Sequence, residues 1–192
     1  MLDFAQKLTE LNAEQLSKRL DATEDRINEF EEFVGATLPA DYRAFLSKHG
    51  GTGASAVCPI IEPNPCGDQA SVDIFYGFMS DERKSNDLYF NSELLDGAPI
   101  AIPIAEDFFG NRTFLFVSGE FAGGVYFFDA QERFFWPDSQ FHSMYENLHP
   151  RIQEYLDFRS SGQLSPKADG MENFYRISDS FESFLKSCRP SE

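Results

Sequence analysis

Residues 27–51 read INEFEEFVGATLPADYRAFLSKHGG, and this stretch decides the fold. Its apolar residues recur every three or four positions in two separate runs, a spacing that predicts two short amphipathic helices. The first helix is expected to start at Asp21 and to end at Gly35, because glycine readily adopts the left-handed conformation of a helix stop. The second is expected to start at Pro39 and to end at Gly50. Each helix carries an apolar stripe, which we expect to be buried against a sheet.

Beyond these helices, short runs rich in β-branched and aromatic residues alternate with clusters of Gly, Pro, Asn and Asp, which is the pattern of strands separated by turns. The predicted strands cover residues 57–61, 72–78, 100–104, 113–117 and 125–129. The last two flank a glycine-containing connection and predict an antiparallel hairpin. Because few helical stretches in this region are long enough for parallel crossovers, the sheet is expected to be mainly antiparallel.

Helical periodicity returns in the C-terminal third of the chain, where Pro150 is expected to divide it into two helices. The polar residues 160–170 predict a loop, and residues 138–170 as a whole are interpreted as an inserted helical arm. A last helix is expected to open at Asp179, with Glu182 as its capping partner.

A chain of 192 residues is long enough to bury its own core, and it is expected to form a single domain over residues 1–192. The order of the predicted elements favours an α+β fold over an α/β fold. We expect a mainly antiparallel or mixed twisted sheet, flanked by N-terminal helices and a C-terminal helix.

The net charge of −16 is unevenly distributed, because residues 52–137 hold 13 carboxylates against four basic side chains and so contribute −9. A negative field repels nucleic acids and anionic membranes, and it accelerates association with cationic partners. No binding to nucleic acid or to membranes is therefore expected. Ordinary solubility explains an acidic composition equally well, and composition alone does not choose between the two explanations.

The N-terminus lacks a basic start followed by an apolar stretch, and the longest apolar run, residues 98–105, is too short to span a bilayer. A cytoplasmic location is therefore expected. Cys58, Cys66 and Cys188 are odd in number and scattered, which argues against both a disulfide framework and a zinc site. They are interpreted as small buried hydrophobic residues.

Five blocks of the chain, in the expected order and within residues 24–186, resemble the SUKH superfamily, whose members include Smi/Knr-type proteins. The blocks are residues 27–51, 75–78 (FYGF), 102–111 (IPIAEDFFGN), 124–129 (GVYFFD) and 180–185 (SFESFL). The resemblance implies an immunity protein that binds and neutralises a polymorphic bacterial toxin. Such toxins are often nucleases, whose basic cleft an acidic protein can occupy. The alternative is a regulatory or scaffold protein of the same superfamily.

The block EDFFGN differs from the others because carboxylates beside aromatic residues on a turn are not what a core requires. Recognition residues concentrate on loops that a rigid scaffold supports. We therefore expect this turn and neighbouring acidic residues to bind the toxin partner. The candidate partner-binding residues are Glu106, Asp107, Phe108, Phe109, Asn111, Glu120 and Asp129.

The chain has no H-E-x-x-H, G-x-S-x-G or P-loop motif, and His49, His142 and His149 lack the spacing of metal ligands. No catalytic residue, metal or cofactor is therefore predicted. A hydrolase is the third alternative, since acidic residues such as Glu106 and Asp107 are of the type that glycosidases use. It ranks last because adjacent carboxylates lack the spacing that glycosidase chemistry requires. The sequence leaves the oligomeric state open.

Overall fold

The structure is a computed structural model and describes residues 2–17, 19–80, 87–92 and 100–191. The helices are α1 Phe4–Glu10, α2 Glu24–Val34, α3 Ala40–His49, α4 Leu88–Ser92, α5 Asp138–Met144, α6 Pro150–Ser160 and α7 Phe181–Ser187. The strands are β1 Glu14–Gln15, β2 Thr52–Pro59, β3 Gln69–Phe75, β4 Ala101–Glu106, β5 Arg112–Phe116, β6 Val125–Phe128, β7 Phe174–Ser178 and β8 Arg189–Pro190.

The strands form one antiparallel sheet in the order β1-β2-β3-β4-β5-β6-β7, with β8 also paired to β2. This arrangement confirms the predicted α+β fold. The predicted hairpin is confirmed as well, because Arg112 of β5 lies opposite Phe128 of β6 and Leu115 lies opposite Val125. The sheet curls so that the segment after β2 reaches β7. There the Ile61 N–H donates a hydrogen bond to the carbonyl of Arg176 at 3.0 Å.

Two helices begin later than expected because a hydroxyl residue caps each of them. The Thr23 side chain accepts the N–H of Arg26, so α2 starts after Thr23 and the predicted start at Asp21 is wrong. In the same way Ser180 caps α7, where Asp179 had been expected. Serine and threonine caps leave the nearby carboxylates free for other contacts.

One face of the curled sheet packs against α1, α2, α3 and α7 and forms the main hydrophobic core. Phe45 of α3 lies at the centre, with its ring centroid 4.8 Å from Phe181 and 5.5 Å from Phe75. Tyr42 contacts Phe181 at 4.9 Å. These rings come from α3, β3 and α7, so burying them requires most of the chain to be in place.

The opposite face of the same strands carries a second aromatic cluster. Side chains alternate across a strand, so Phe114 and Phe116 point away from the core that Leu115 enters. Tyr126 and Phe174 join them, with centroid distances of 5.0 Å from Phe116 to Tyr126 and 5.3 Å from Phe114 to Phe174. The outer face of the sheet is therefore aromatic.

Gly77 lies where the chain after β3 crosses the end of α3. A Cβ placed on Gly77 would overlap the backbone of Gly50 and Gly51. Only a residue without a side chain fits such a backbone crossing. This packing gives a physical reason for the glycines at positions 50, 51 and 77.

Helices α5 and α6 fall in the segment that was interpreted as a helical arm, and Pro150 is the first residue of α6, as the predicted division requires. The two helices bury a small cluster of their own around Phe141 and Tyr155. The segment is attached to the β2–β3 connection by polar contacts. Lys167 Nζ lies 2.6 Å from Glu62 Oε1, and His149 Nε2 lies 3.7 Å from Asp68. That this segment is an insertion stays a prediction.

Cys58 and Cys188 form a disulfide, so the expectation of no disulfide is wrong. Cys58 lies in β2, and Cys188 follows α7 directly before β8, the strand that pairs with β2. That pairing brings together two residues that are 130 positions apart in the sequence. Cys58 and Cys188 are buried, as predicted, whereas Cys66 is only half-buried and forms no disulfide with another described residue.

Candidate partner-binding site

The turn between β4 and β5 is held by the carboxylate of Asp107. Its Oδ1 accepts the N–H groups of Phe109 at 2.8 Å and of Asn111 at 2.9 Å, and its Oδ2 accepts the Asn111 side-chain amide at 2.7 Å. Gly110 provides the left-handed residue of the turn, with φ at +85°. Asp107 and Asn111 are buried, so the side chains of both residues stabilise the turn itself.

The same turn presents Phe108 and Phe109 to solvent, with 88% and 74% of these residues exposed. Their rings meet edge to face, with centroids 5.9 Å apart and planes at 88°. The backbone beneath them is fixed, because the Phe108 N–H donates to Asp73 Oδ2 at 2.7 Å. Two adjacent exposed phenylalanines on a hydrogen-bonded turn have no role in the core, and we name this pair the phenylalanine tip.

A second turn, after β6, lies against the first one. Asp129 is fully buried, and its carboxylate accepts the N–H groups of Gln131 and Arg133 and pairs with the Arg133 guanidinium at 2.8 Å. Asn111 Oδ1 accepts the Ala130 N–H at 3.1 Å, which joins the two turns. Asp129 therefore stabilises the turn that contacts Asn111, and its buried carboxylate is not accessible to a partner.

The remaining two candidates occupy different places. Glu106 is half-buried at the end of β4 and accepts the hydroxyl of Tyr76 at 2.7 Å. Burial, with a smaller contribution from Glu106, raises the pKa of Tyr76, so this hydroxyl remains a donor. Glu120 lies in the β5–β6 turn, at the opposite end of β5 from the tip. The expectation that Glu120 lies near the other candidates is therefore wrong.

Two exposed residues that follow the second turn, after β6, were not predicted. Phe135 is 62% exposed in the short 3₁₀ turn Arg133–Phe135, and Glu132 precedes it with an exposed side chain. The turn belongs to the same segment that Asn111 contacts. The signal in the sequence was the run ERFFWP, in which paired phenylalanines follow a turn without helical or strand periodicity.

Most of the described carboxylates of residues 52–137 form hydrogen bonds or ion pairs within the fold. Besides the residues above, Asp87 accepts the N–H groups of Met79 and Phe90. Asp81, Glu82, Glu93 and Asp96 lie outside the described residues. Helix α2 carries four exposed carboxylates, those of Glu24, Asp25, Glu29 and Glu32.

The chemistry available in the described residues is limited. No group of three or more His, Cys, Asp or Glu side chains in them is placed to hold a metal ion. Burial, reinforced by Asp129, raises the pKa of the Cys66 thiol, so this thiol is protonated at neutral pH and a poor nucleophile. The phenylalanine tip offers exposed aromatic area and no reactive group.

None of the helices in the described part of the chain combines the length and the apolar character that a bilayer crossing requires. No curated protein and no solved structure shows a significant match to the chain. Residues 21–187 match the model of the SMI1 / KNR4 family (SUKH-1). This match covers most of the chain, including strands β2 to β7, the phenylalanine tip and α7, and it agrees with the blocks found in the sequence. The chain therefore belongs to the SMI1 / KNR4 family (SUKH-1).

Proposed function

We propose that this chain is a non-enzymatic immunity protein that neutralises a bacterial toxin by binding it directly. The observation that carries the proposal is the phenylalanine tip, an exposed aromatic pair on a turn whose backbone is fixed by Asp107 and Asp73. A preorganised apolar anchor loses little conformational entropy on binding, which favours high affinity. Membership of the SUKH-1 family supports an immunity role.

The proposed toxin is a basic protein, and a nuclease is the class we favour, acting in the cytoplasm where the immunity protein is made. The net charge of −16 attracts such a partner over long range, even though many carboxylates are engaged locally. In this proposal, long-range charge steers the encounter and the phenylalanine tip supplies most of the binding energy. Few residues dominate a typical interface, and aromatic residues are common among them.

The test is co-expression with a bacterial nuclease toxin domain, with cell survival and co-purification as the two measurements. Replacing both Phe108 and Phe109 by serine should abolish protection and weaken the complex at least about 30-fold, the loss expected for a hot-spot residue. The matched control is Met144→Ser, which removes another side chain that is 56% exposed, on α5. Full protection and an intact complex in the double serine variant would exclude the tip as the binding site.

A double lysine substitution at Glu106 and Asp107 is a weaker test. Lysine at position 107 removes the acceptor of three hydrogen bonds, so lost protection would report a damaged turn as readily as a lost contact. Glu106→Lys alone is informative, because among the described residues this half-buried carboxylate accepts a hydrogen bond only from Tyr76.

A further inference from the structure

A groove of about 630 Å³ lies on the outer, aromatic face of the sheet. Its floor is formed by Tyr126 of β6, Phe174 of β7 and Met171, and its walls are the β5–β6 turn and the loop at residues 163–168. This volume is within the range of roughly 300–1,000 Å³ that is typical of sites enclosing a small ligand. The groove is separate from the phenylalanine tip, because the β5–β6 turn is at the other end of the strands.

The two cations at the groove already have partners within the chain. Lys167 Nζ lies 2.6 Å from Glu62 Oε1 and also donates to the carbonyl of Phe174. Arg176 forms an ion pair with Asp179. An anionic ligand would therefore have to break an existing ion pair before it gained a contact.

Glu120 is the charged residue at the groove that has no ion-pair partner among the described residues. It lines the wall and is exposed, and its carboxylate makes no hydrogen bond or ion pair with any residue that the structure describes. Tyr126 lines the floor, and its hydroxyl likewise has no hydrogen-bond partner among those residues. The groove thus offers aromatic rings, one unpaired carboxylate and one hydroxyl without a hydrogen-bond partner among the described residues.

We propose that the groove binds a short segment of a partner protein in which an arginine or lysine lies beside a large apolar residue. The apolar side chain would pack on the rings of Tyr126 and Phe174, and the cation would pair with Glu120. The Tyr126 hydroxyl would donate to a backbone carbonyl of the segment. The source of this segment, a basic toxin, rests on the proposed function, whereas the sequence preference of the groove does not.

One partner can reach both surfaces. Strand β5 has five residues and separates the tip from the β5–β6 turn by about 17 Å, at roughly 3.4 Å per residue. An interface of standard size buries about 800 Å² on each partner and extends further than this distance. The tip and the groove would then act as two contacts of one interface, and Glu120 would belong to the second contact.

The experiment is selection of phage-displayed random heptapeptides on the immobilised full chain. Enriched peptides should carry Arg or Lys within two positions of an aromatic or large aliphatic residue. Glu120→Lys should weaken their binding about tenfold, the loss expected for a charge-assisted contact. The matched control is Glu132→Lys, an equal charge change at an exposed site that does not line the groove. No enrichment, enrichment without a cationic residue, or equal binding to both variants would overturn the proposal.

The same selection is repeated on the Phe108→Ser and Phe109→Ser double variant. The groove proposal expects unchanged peptide binding there, because the tip is at the other end of β5. If the chain fails to neutralise any toxin but still selects cationic–apolar peptides, the proposed function is lost and the groove stands. If protection is intact but peptides bind Glu120→Lys as well as the natural chain, only the groove proposal is lost.

Discussion

Replacing Asp107 by alanine should destabilise the whole domain, although the residue is in a surface turn. The carboxylate accepts three hydrogen bonds, from the N–H groups of Phe109 and Asn111 and from the Asn111 side-chain amide. Each bond contributes about 1 kcal/mol to folding, so Asp107→Ala should lower the free energy of unfolding by about 3 kcal/mol. This is a large fraction of the roughly 5–15 kcal/mol of a typical domain.

Asp107→Asn should cost less, about 1 kcal/mol. Asparagine keeps one oxygen for the two backbone N–H groups, but its amide faces the Asn111 amide, so two donors oppose each other. Asn111 is not free to turn over, because its Oδ1 accepts the Ala130 N–H. The two substitutions therefore form a graded series that separates the backbone bonds from the side-chain bond.

The assay is urea unfolding followed by circular dichroism, with Asp169→Ala as the control for losing one exposed carboxylate. At a slope of about 2 kcal/mol per M, the alanine variant should unfold at a urea concentration about 1.5 M lower, and the control should be unchanged. Equal midpoints for Asp107→Ala and Asp169→Ala would show that the turn does not need its carboxylate, and the account of a fixed phenylalanine tip would then be wrong.

Three further predictions concern the fold. Gly77→Ala should lower the free energy of unfolding by about 2 kcal/mol or more because its Cβ would overlap the backbone of Gly50 and Gly51, and a urea midpoint equal to that of the natural chain would contradict this packing. Reduction of the Cys58–Cys188 disulfide should cost roughly 2–4 kcal/mol, and dithiothreitol should have no such effect on a Cys58→Ala, Cys188→Ala double variant. Burial lowers the pKa of His49, and the nearby charges of Arg19 and Lys48 lower it further, whereas Asp3 opposes the shift. Just below pH about 6.5, His49 therefore binds more protons in the unfolded chain than in the folded chain. Stability should therefore fall as pH drops from about 6.5 through the folded pKa, and His49→Gln should flatten that slope; identical slopes would refute the assignment.

The sequence was most informative where structure depends on local spacing. The stripe that ends at Gly35 gives α2, and Gly35 has the left-handed φ of +73° that a helix stop needs. The hairpin of β5 and β6 follows from two apolar runs around a glycine-containing turn. In both cases the decisive contacts lie within about 20 residues, so a pattern read along the chain is sufficient.

Features that depend on distant pairing were missed. Strand β7 is five residues long and follows a polar loop, and its partner β6 lies more than 40 positions earlier. The disulfide has the same origin, because only the pairing of β8 with β2 places Cys188 beside Cys58. No spacing rule for cysteines applies to such a pair, since the sheet and not the sequence interval sets the distance between them.

The sequence indicated a turn at residues 106–111, but it did not separate the residues that hold the turn from those that it exposes, and partner binding there stays a prediction. An aspartate three residues before a glycine commonly accepts backbone N–H groups of its own turn, and this pattern at Asp107 and Gly110 was available in the sequence. The direction of the predicted hairpin likewise places Glu120 away from Phe108. Exposure of the rings, in contrast, depends on the surrounding fold and required the structure.

The closure between Ile61 and Arg176 has a consequence for synthesis on the ribosome. The chain emerges from its N-terminus, and β7, α7 and β8 occupy only its last part, residues 174–190. Until those residues leave the exit tunnel, Phe45 and Phe75 lack Phe181 and Phe184, and the apolar side of the nascent sheet stays open to water. The core is therefore completed only after residues 174–190 have left the exit tunnel, and until then its apolar surface is open to aggregation.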